Sequence, residues 1–274
     1  MDRHYSRNGG RRLTALVAAL SICFAAGAHA EAGSANARDI SVHINLLGVA
    51  QLDIDPQAPA GFQNAVDATY QQNLLPSFDS GGTLLHLSTG TLTSEAQYVP
   101  GVSFSVAGAD VEVQNVNLSA VDTLGNPLIA LTADLIRSQS VVMGYCLPGG
   151  RQQRTPIDDI MFFSSFDAGN LTPGGDGHPP STGDDTSLNG VGITILGAPV
   201  PNIPAVPPPN TAIDLGQLGI VGATLILNER TISGDGVTSL TVSRNAIHLT
   251  LDVAGLVTAD VVFAHADSTL DCSQ

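Results

Sequence analysis

Apolar and polar residues alternate most regularly near the C-terminal end of the chain. In the segments 246–253 and 257–266, apolar residues occupy almost every second position. This period of two is typical of a β-strand that buries one face. Because only the short turn around Ala254-Gly255 separates the two segments, they are predicted to form a hairpin.

Shorter runs with the same alternation, bounded by Gly, Pro and Asn, predict strands along most of the chain. The apolar phase slips between Val113 and Val116, which predicts one extra residue near Asn115, as in a β-bulge. Residues 158–166 are predicted to form a short strand or a turn. The other predicted strands cover residues 40–46, 83–93, 102–106, 111–121, 128–142, 190–197, 211–215, 223–229 and 237–242.

One segment has a different spacing. Apolar residues recur every four positions from Phe62 to Leu74, and Pro76 ends the run. This spacing predicts a helix over residues 62–75, with an irregular loop as the alternative.

Many short strands with at most one short helix favour an all-β fold, an antiparallel β-sandwich. Residues 171–185 are too rich in Gly and Pro for a regular element and are predicted to form a surface loop. Residues 199–210 are predicted to form an extended, polyproline-like connector. A β-solenoid is the alternative fold, but no repeat of about twenty residues supports it.

The chain contains an internal repeat. Residues 131–146 begin Leu-Thr-Ala-Asp-Leu-Ile, residues 257–272 begin Val-Thr-Ala-Asp-Val-Val, and both segments end on cysteine. Such self-similarity predicts a duplicated unit. Residues 31–274 are therefore interpreted as a single domain with two related halves, 39–150 and 186–274, joined by the Gly/Pro-rich loop region.

The repeat also predicts a covalent link. Cys146 and Cys272 are the only cysteines outside the N-terminal leader. Paired cysteines of exported proteins form disulfides in an oxidising compartment. A disulfide between Cys146 and Cys272 would tie the C-terminus to the middle of the chain.

The first thirty residues have the order of a secretory signal peptide. Residues 1–12 carry four arginines, residues 13–28 form an apolar run too short to span a bilayer, and Ala28-His29-Ala30 has the small-x-small form of a cleavage site. Cleavage is predicted between Ala30 and Glu31. The residue before the leader cysteine is isoleucine, which argues against a lipoprotein. The residues after the paired arginines favour the general secretory route over the twin-arginine route.

The processed chain is strongly acidic and contains no lysine. It has six basic and twenty-four acidic side chains, a net charge of −18. Nucleic-acid binding is excluded because affinity for the phosphate backbone comes chiefly from Lys and Arg. Stable membrane insertion is not expected after the leader is removed. The expected location is extracytoplasmic: secreted, periplasmic or associated with the cell surface.

The sequence resembles a known family between about residues 186 and 266. Leu225-Ile-Leu-Asn-Glu229 is followed by Asn245-Ala-Ile-His-Leu-Thr-Leu251 and by an alanine-rich final strand. In this order of segments the chain is similar to the choice-of-anchor P family of exported bacterial surface proteins. The resemblance implies an extracytoplasmic location and supplies no catalytic chemistry. After Cys272 only two residues follow, without a sorting motif.

No local sequence signature of catalysis is present. The chain has no Gly-x-Ser-x-Gly, no His-Glu-x-x-His, no phosphate-binding glycine loop and no Cys-x-x-Cys. His43 and His248 fall on the polar faces of their predicted strands, where a solvated histidine is more common than a metal ligand. His265 is predicted to share a partly buried face with Val261 and Phe263, as a histidine bonded to the backbone, with a metal ligand near Asp267 as the alternative.

The acidic loop offers one candidate metal site. Asp176, Asp184 and Asp185 supply the hard oxygen ligands that calcium takes, with the Asp184-Asp185 pair as the centre. They do not fit the twelve-residue EF-hand pattern, and loops rich in Gly and Asp are usually ordinary loops. No other cofactor is expected.

Two functions from different classes are consistent with the sequence. The favoured one is a non-enzymatic structural or binding protein of the cell surface or periplasm, with a cell-envelope component as its partner. The alternative is an extracytoplasmic hydrolase whose carboxylates converge from separate strands. A concave site with several titratable groups within reach of each other would favour the hydrolase.

Overall fold

The computed structural model describes residues 32–46, 49–100, 105–147, 151–156, 186–235, 238–253 and 256–272, and only the backbone of residues 143, 145–147 and 151–156. These residues are almost entirely β-strand, and the only helix among them is one turn of 3-10 helix, Leu215–Leu218. The strands are β1 (Ala32–Leu46), β2 (Ala50–Ile54), β3 (Ala60–Ala65), β4 (Thr69–Leu75), β5 (Phe78–Gly81), β6 (Leu85–Thr89), β7 (Leu92–Val99), β8 (Ser105–Val121), β9 (Pro127–Leu147), β10 (Arg151–Pro156), β11 (Thr186–Asn189), β12 (Gly192–Ile195), β13 (Ala198–Pro199), β14 (Thr211–Ile213), β15 (Ala223–Ser233), β16 (Ser239–Val253) and β17 (Val257–Asp271).

The strands form two antiparallel sheets. Sheet A has seven strands in the order β14-β15-β16-β17-β1-β2, and β3 pairs with β1 next to β2. Sheet B has ten strands along the path β13-β12-β9-β8-β6-β5, with β10 and β11 paired to β9, and β7 placed between β8 and β4. The predicted all-β, antiparallel sandwich-like fold is confirmed.

The alternation of the sequence builds the core. The inward residues of β16 and β17, among them Leu249 and Val261, are fully buried against inward residues of sheet B such as Leu118 and Ile129. These residues belong to one large apolar cluster that contains members of both sheets. A smaller apolar cluster contains Tyr98, Ala107, Val142, Leu240, Val242 and Leu270.

Sheet A contains a transverse row at which the inward and outward faces exchange. The cross-strand pairing is interrupted at Asn228, Ala246, Ala264 and Asp39, and each of these residues is buried next to a buried apolar neighbour. Asn228 and Ala264 have positive φ angles of 50° and 55°. We call these four residues the inversion row. Beyond the row, residues of the opposite parity point into the sandwich.

The repeated strands face each other across the sandwich. Residues 131–146 lie in β9, residues 257–271 form β17, and the two strands belong to opposite sheets. The Ser140 and Ser268 hydroxyl groups are 2.7 Å apart, and the Ser268 hydroxyl donates to the Ser140 carbonyl oxygen at 2.8 Å. The side chains next to this contact are small and buried: Ala109 pairs opposite Ser140, and Ala266 precedes Ser268 by two residues.

Both predicted halves contribute to both sheets. β1 to β3 come from the first half of the chain and lie in sheet A, whereas β11 to β13 come from the second half and lie in sheet B. The two halves are therefore interleaved through strand pairing within the described residues.

The predicted helix over residues 62–75 is wrong. This segment forms β3 and β4, which are separated by residues 66–68. A spacing of four also keeps residues on one face of a strand, because four is a multiple of two. The residues that suggested a helix also include Val66 and Leu74, which are exposed and bury no helical face.

The predicted change of the inward face near Asn115 is confirmed, but the extra residue of a β-bulge that was predicted to cause it is not present. Gln114 pairs with Leu135 and Val116 with Ala133, so the register of β8 and β9 is unchanged across Asn115. Asn115 has a φ angle of 50°. A left-handed residue, rather than an inserted one, changes the face that points inward.

The predicted hairpin at the C-terminal end is confirmed, with Val253 paired to Val257. β16 is longer than predicted and joins the separately predicted strands 237–242 and 246–253. The predicted strand 83–93 is two strands, β6 and β7. Most of the predicted strand 102–106 and all of residues 158–166 lie outside the described residues.

Candidate functional site

The outer face of sheet A carries rows of polar side chains that run across the strands, which we call ranks. The ranks arise because outward residues of neighbouring strands stand directly opposite each other in the register. Thr250, Asp260, His43 and Asp53 form one such rank across β16, β17, β1 and β2. Asn245 and His265 lie opposite each other in another rank, beyond the inversion row.

Three strands bring two carboxylates to one histidine. His248 lies in β16 with Nδ1 2.7 Å from Oε2 of Glu229 in β15 and Nε2 3.1 Å from Oδ1 of Asp260 in β17. About a quarter of the His248 and Glu229 side chains is exposed. Both ring nitrogens therefore contact carboxylate oxygens at the surface.

The same network extends to a second histidine. Asn245 donates from Nδ2 to Glu229 Oε2 at 2.7 Å, and its Oδ1 lies 2.7 Å from Nδ1 of His265. His265 Nε2 is 3.8 Å from Oδ1 of Asp267. We call this set the outer polar network: Glu229, Asn245, His248, Asp260, His265 and Asp267.

The predicted placement of His265 is wrong. Val261 and Phe263 point into the core, but Ala264 belongs to the inversion row, so His265 points to the outer face. His43 and His248 lie on the polar outer face, as predicted. His43 Nδ1 contacts Asp53 Oδ1, and its Nε2 is 3.1 Å from the hydroxyl oxygen of Ser41.

Within the outer polar network, His248 is poorly placed to act as a general base. A general base needs a ring nitrogen within reach of a substrate proton, and both nitrogens of His248 face carboxylates. Within the described ranges, no group of three or more His, Cys, Asp or Glu side chains is placed to hold a metal ion. The network instead fixes the side chains of three strands relative to one another.

A polar groove lies beside this network. It has a volume of about 700 Å³. Its lining consists of Ser34, Ala35, Asn36 and Arg38 of β1, residues 59–64, Gln71, and Asp267 and Thr269 of β17. We call it the β3 groove. Its lining includes one carboxylate, Asp267, and no histidine.

The wall of the β3 groove is held by hydrogen bonds from both sheets. β3 pairs with β1 in sheet A, and Gln71 Oε1 in sheet B accepts from the Gly61 backbone N–H at 2.8 Å. Asn73 Nδ2 donates to the Pro59 carbonyl oxygen. Gly61 leaves room over the floor, since a Cβ there would be 3.0 Å from the Ala35 carbonyl oxygen and from the Asn36 side-chain amide.

The groove contains an exposed cation next to a polar floor. Arg38 forms no ion pair with any carboxylate among the described residues. With the Asn36 amide oriented to satisfy its hydrogen bonds, its oxygen accepts from Nε and Nη2 of Arg38 at 2.9 and 2.7 Å. This bidentate contact orients the guanidinium along the groove.

Asp39 carries a buried carboxylate behind the groove. Its Oδ1 accepts from the backbone N–H groups of Ile40 and Gln57 at 2.9 and 3.0 Å, and its Oδ2 accepts from Ala58 N–H at 3.0 Å. Burial raises the pKa of Asp39 above its ordinary value, and these hydrogen bonds oppose that shift. Asp39 anchors the connection between β2 and β3.

Sheet B carries a second group of charges. Arg137 donates from Nε to Asp110 Oδ1 at 3.0 Å and also contacts Oδ2, a bidentate pair that raises the pKa of Arg137. Burial, followed by the negative charge of Asp110, raises the pKa of Glu95. Glu95 lies directly opposite Asp110 in the pairing of β7 with β8.

Several predicted site residues lie outside the described residues. They are the cleavage residues Ala30 and Glu31 and the calcium candidates Asp176, Asp184 and Asp185. The side chain of Cys146 is also outside this part of the chain, so the disulfide stays a prediction.

Cys272 is described. It is buried directly after β17, and its backbone N–H donates to the Thr238 carbonyl oxygen at 2.8 Å.

No protein-family model matches the chain, and no curated protein matches it. The described residues contain no helix with the length and hydrophobicity required to cross a membrane.

Proposed function

We propose that this protein is an exported, non-enzymatic structural or binding protein of the cell surface or periplasm. The observation that carries the proposal is the polar part of the β3 groove lining, which combines amides, hydroxyls and one guanidinium with a single carboxylate. The rest of the lining is Gly61 and the apolar residues Ala35, Pro59, Ala60 and Phe62. Hydrolytic acid–base catalysis commonly uses a pair of groups that gain and lose a proton within reach of the substrate, and arginine does not lose its proton in proteins. The groove offers binding groups without that pair.

Two features of the sequence support the extracytoplasmic part of the proposal. The leader has the charged, apolar and small-x-small order of a signal peptide. The segments Leu225–Glu229 and Asn245–Leu251, which resemble the choice-of-anchor P family, belong to the adjacent strands β15 and β16. Membership of that family is part of the proposal.

The proposal includes the disulfide between Cys146 and Cys272. The two cysteines are the last residues of the two repeat copies, and the strands that precede them contact each other at Ser140 and Ser268. Val142 and Leu270, two residues further along each strand, belong to the same small apolar cluster. From the first contact to the second, the position advances by two residues in both strands. This supports β9 and β17 running in the same direction, towards their cysteines.

An extracytoplasmic hydrolase is the second candidate. It is favoured by Glu95 and Asp110, carboxylates on neighbouring strands of which one has a raised pKa and the other is ion-paired to Arg137. Two carboxyl groups in such different environments suit two catalytic roles: a general acid, and an ionised carboxylate that stabilises positive charge in the transition state. Release of soluble products from purified envelope polymer, abolished by Glu95→Gln, would replace our proposal with this one.

The proposal is tested by affinity capture from cell-envelope fractions with the processed chain, residues 31–274. We expect specific retention of an envelope component by the folded protein. The same protein unfolded by heat and an unrelated acidic protein of similar net charge are the controls. Retention no greater than that of the two controls would contradict the proposal.

A further inference from the structure

We infer that the β3 groove is a binding site for a neutral saccharide, a short stretch of a hydroxyl-rich polymer. The inference rests on the proposed binding function and names the ligand class for it. The groove volume of about 700 Å³ falls within the range of roughly 300 to 1,000 Å³ of small-molecule sites.

The chemistry of the lining fits hydroxyl groups. Each sugar hydroxyl donates one hydrogen bond and accepts others, so a saccharide site needs donors and acceptors side by side. Arg38 supplies only donors, Asp267 supplies only acceptors, and the amides of Gln63 and Gln71 supply both. Planar groups of this kind can contact two neighbouring hydroxyls at once.

Other ligand classes fit the same groove less well. A phosphate or carboxylate ligand would meet Arg38 but also the negative Asp267, in a processed chain (residues 31–274) with a net charge of −18. A metal cation would find one carboxylate and the repelling guanidinium. An apolar ligand would leave the amides and charged groups without hydrogen-bond partners, which is costly.

The polar groups are held in place before a ligand arrives. Asn36 orients Arg38 through two hydrogen bonds, and the Ser34 hydroxyl accepts from the Asn64 backbone N–H at 3.0 Å. Gln71 is fixed through Oε1 on Gly61, which leaves its amide NH2 group to donate. Thr269 is held by a hydroxyl contact of 2.8 Å with Thr241. Such preorganisation reduces the entropy lost on binding.

The inference is tested with the processed chain, residues 31–274, on an array of neutral and acidic oligosaccharides, followed by titration calorimetry with the strongest neutral ligand. We expect at least one neutral oligosaccharide to bind, with an affinity that changes little between low and high salt. A neutral ligand makes no ion pair that salt could screen. Inorganic phosphate and calcium chloride are titrated in parallel as probes of the anion and cation classes.

Matched variants locate the site. Arg38→Gln and Asp267→Asn are expected to weaken binding at least tenfold. Asp260→Asn is the control, because Asp260 lies on the same outer face of β17 and outside the groove lining. Circular dichroism and thermal melting of each variant verify that it is folded.

Several results would overturn the inference. They are no binding on the array, binding that the groove variants leave unchanged, or preferential binding of phosphate or calcium. Capture of an envelope component without saccharide binding would sink this inference and leave the proposed function intact. Binding followed by cleavage of the oligosaccharide, detected by mass spectrometry, would support the site and contradict the non-enzymatic function.

Discussion

The Ser268 hydroxyl lies 2.7 Å from the Ser140 hydroxyl and donates to the Ser140 carbonyl oxygen at 2.8 Å. Face-to-face sheets are normally about 10 Å apart, and a serine side chain is short. A direct bond from this side chain to the main chain of the opposite sheet therefore requires that the two sheets lie closer together than usual at this point. The close approach is between β9 and β17, the two strands that contain the repeated sequence.

The first prediction is that these two serines are energetically coupled. Ser268→Ala should reduce the free energy of unfolding by about 1 to 3 kcal/mol, because it leaves buried polar atoms of Ser140 without their partner. Ser140→Ala combined with Ser268→Ala should cost less than the sum of the single changes. Urea unfolding of the four proteins measures this. Strictly additive costs would show that the contact contributes nothing.

The second prediction concerns the close approach of Gly33 to Tyr98. Tyr98 is fully buried, and a Cβ on Gly33 would overlap its ring. Gly33→Ala should therefore destabilise the fold by about 1 to 3 kcal/mol or more, as overpacking does. Gly82→Ala is the control because a Cβ there meets no atom within 4 Å. Equal melting temperatures for the two variants would contradict this packing.

The third prediction is the disulfide. Replacing Cys146 and Cys272 with serine should lower the melting temperature, because the bond closes a loop of 126 residues. The chain-entropy estimate for such a loop is about 5 kcal/mol at most. Thiol titration in denaturant should find no free thiol in the exported protein and one in each single variant. Two free thiols in the unmodified protein would refute the bond.

The fourth prediction is a pH dependence of stability with opposite signs at two aspartates. The raised pKa of buried Asp39 means that the folded state holds its proton more tightly than the unfolded state. Its contribution is fully present below the unfolded pKa of about 3.9 and is lost as pH rises through the folded pKa. The stability of the protein relative to Asp39→Asn should therefore fall with rising pH.

Asp122 provides the contrast. Hydrogen bonds from the Asn126 side chain and backbone lower the pKa of its exposed carboxylate. Its contribution is present above the unfolded pKa and is lost as pH falls through the folded pKa. Stability relative to Asp122→Asn should therefore rise with pH. Urea unfolding across the acidic range measures both differences, and slopes of the same sign would contradict the assignment.

The fifth prediction concerns export. Mass spectrometry of the secreted or periplasmic protein should find an N-terminus at Glu31 or within a few residues of it, since Ala28-His29-Ala30 precedes that position. Substituting Ala30 with a large residue should slow the processing, while Ala18→Leu, within the apolar run, should not. An exported protein that retains Met1 would refute the cleavage.

The alternation of apolar residues predicted the fold class because alternation reports burial directly. It located β16 and β17 and their hairpin, and it detected the phase slip at Asn115. It failed at Ala264, where one residue of positive φ reverses the inward parity and turns His265 outward. Nothing in the local sequence marks an alanine as left-handed, since that conformation is imposed by the surrounding sheet.

Most of the outer polar network and of the β3 groove could not be predicted from the sequence. Glu229, His248 and Asp260 come together because β15, β16 and β17 pair in one particular register. Register depends on turns and on the facing sheet, which a single strand does not encode. A usable signal was present in the polar residues at alternate positions of all three strands, which indicate a polar outer face. The β3 groove had no such signal because its segment was interpreted as a helix.

Because β1 pairs with β17, sheet A cannot be completed until the C-terminal strand is available. Ala32, at the start of β1, is opposite Asp271, at the end of β17, and β17 itself lies between β16 and β1. One edge of β1 pairs early with β2 and β3, but the other edge reaches β17 only after most of the described chain is present, and such distant contacts form slowly. Under the export that we propose, sheet A would stay incomplete until its last strand had crossed the membrane. The late pairing of β1 with β17 would then keep the chain unfolded enough to be transported.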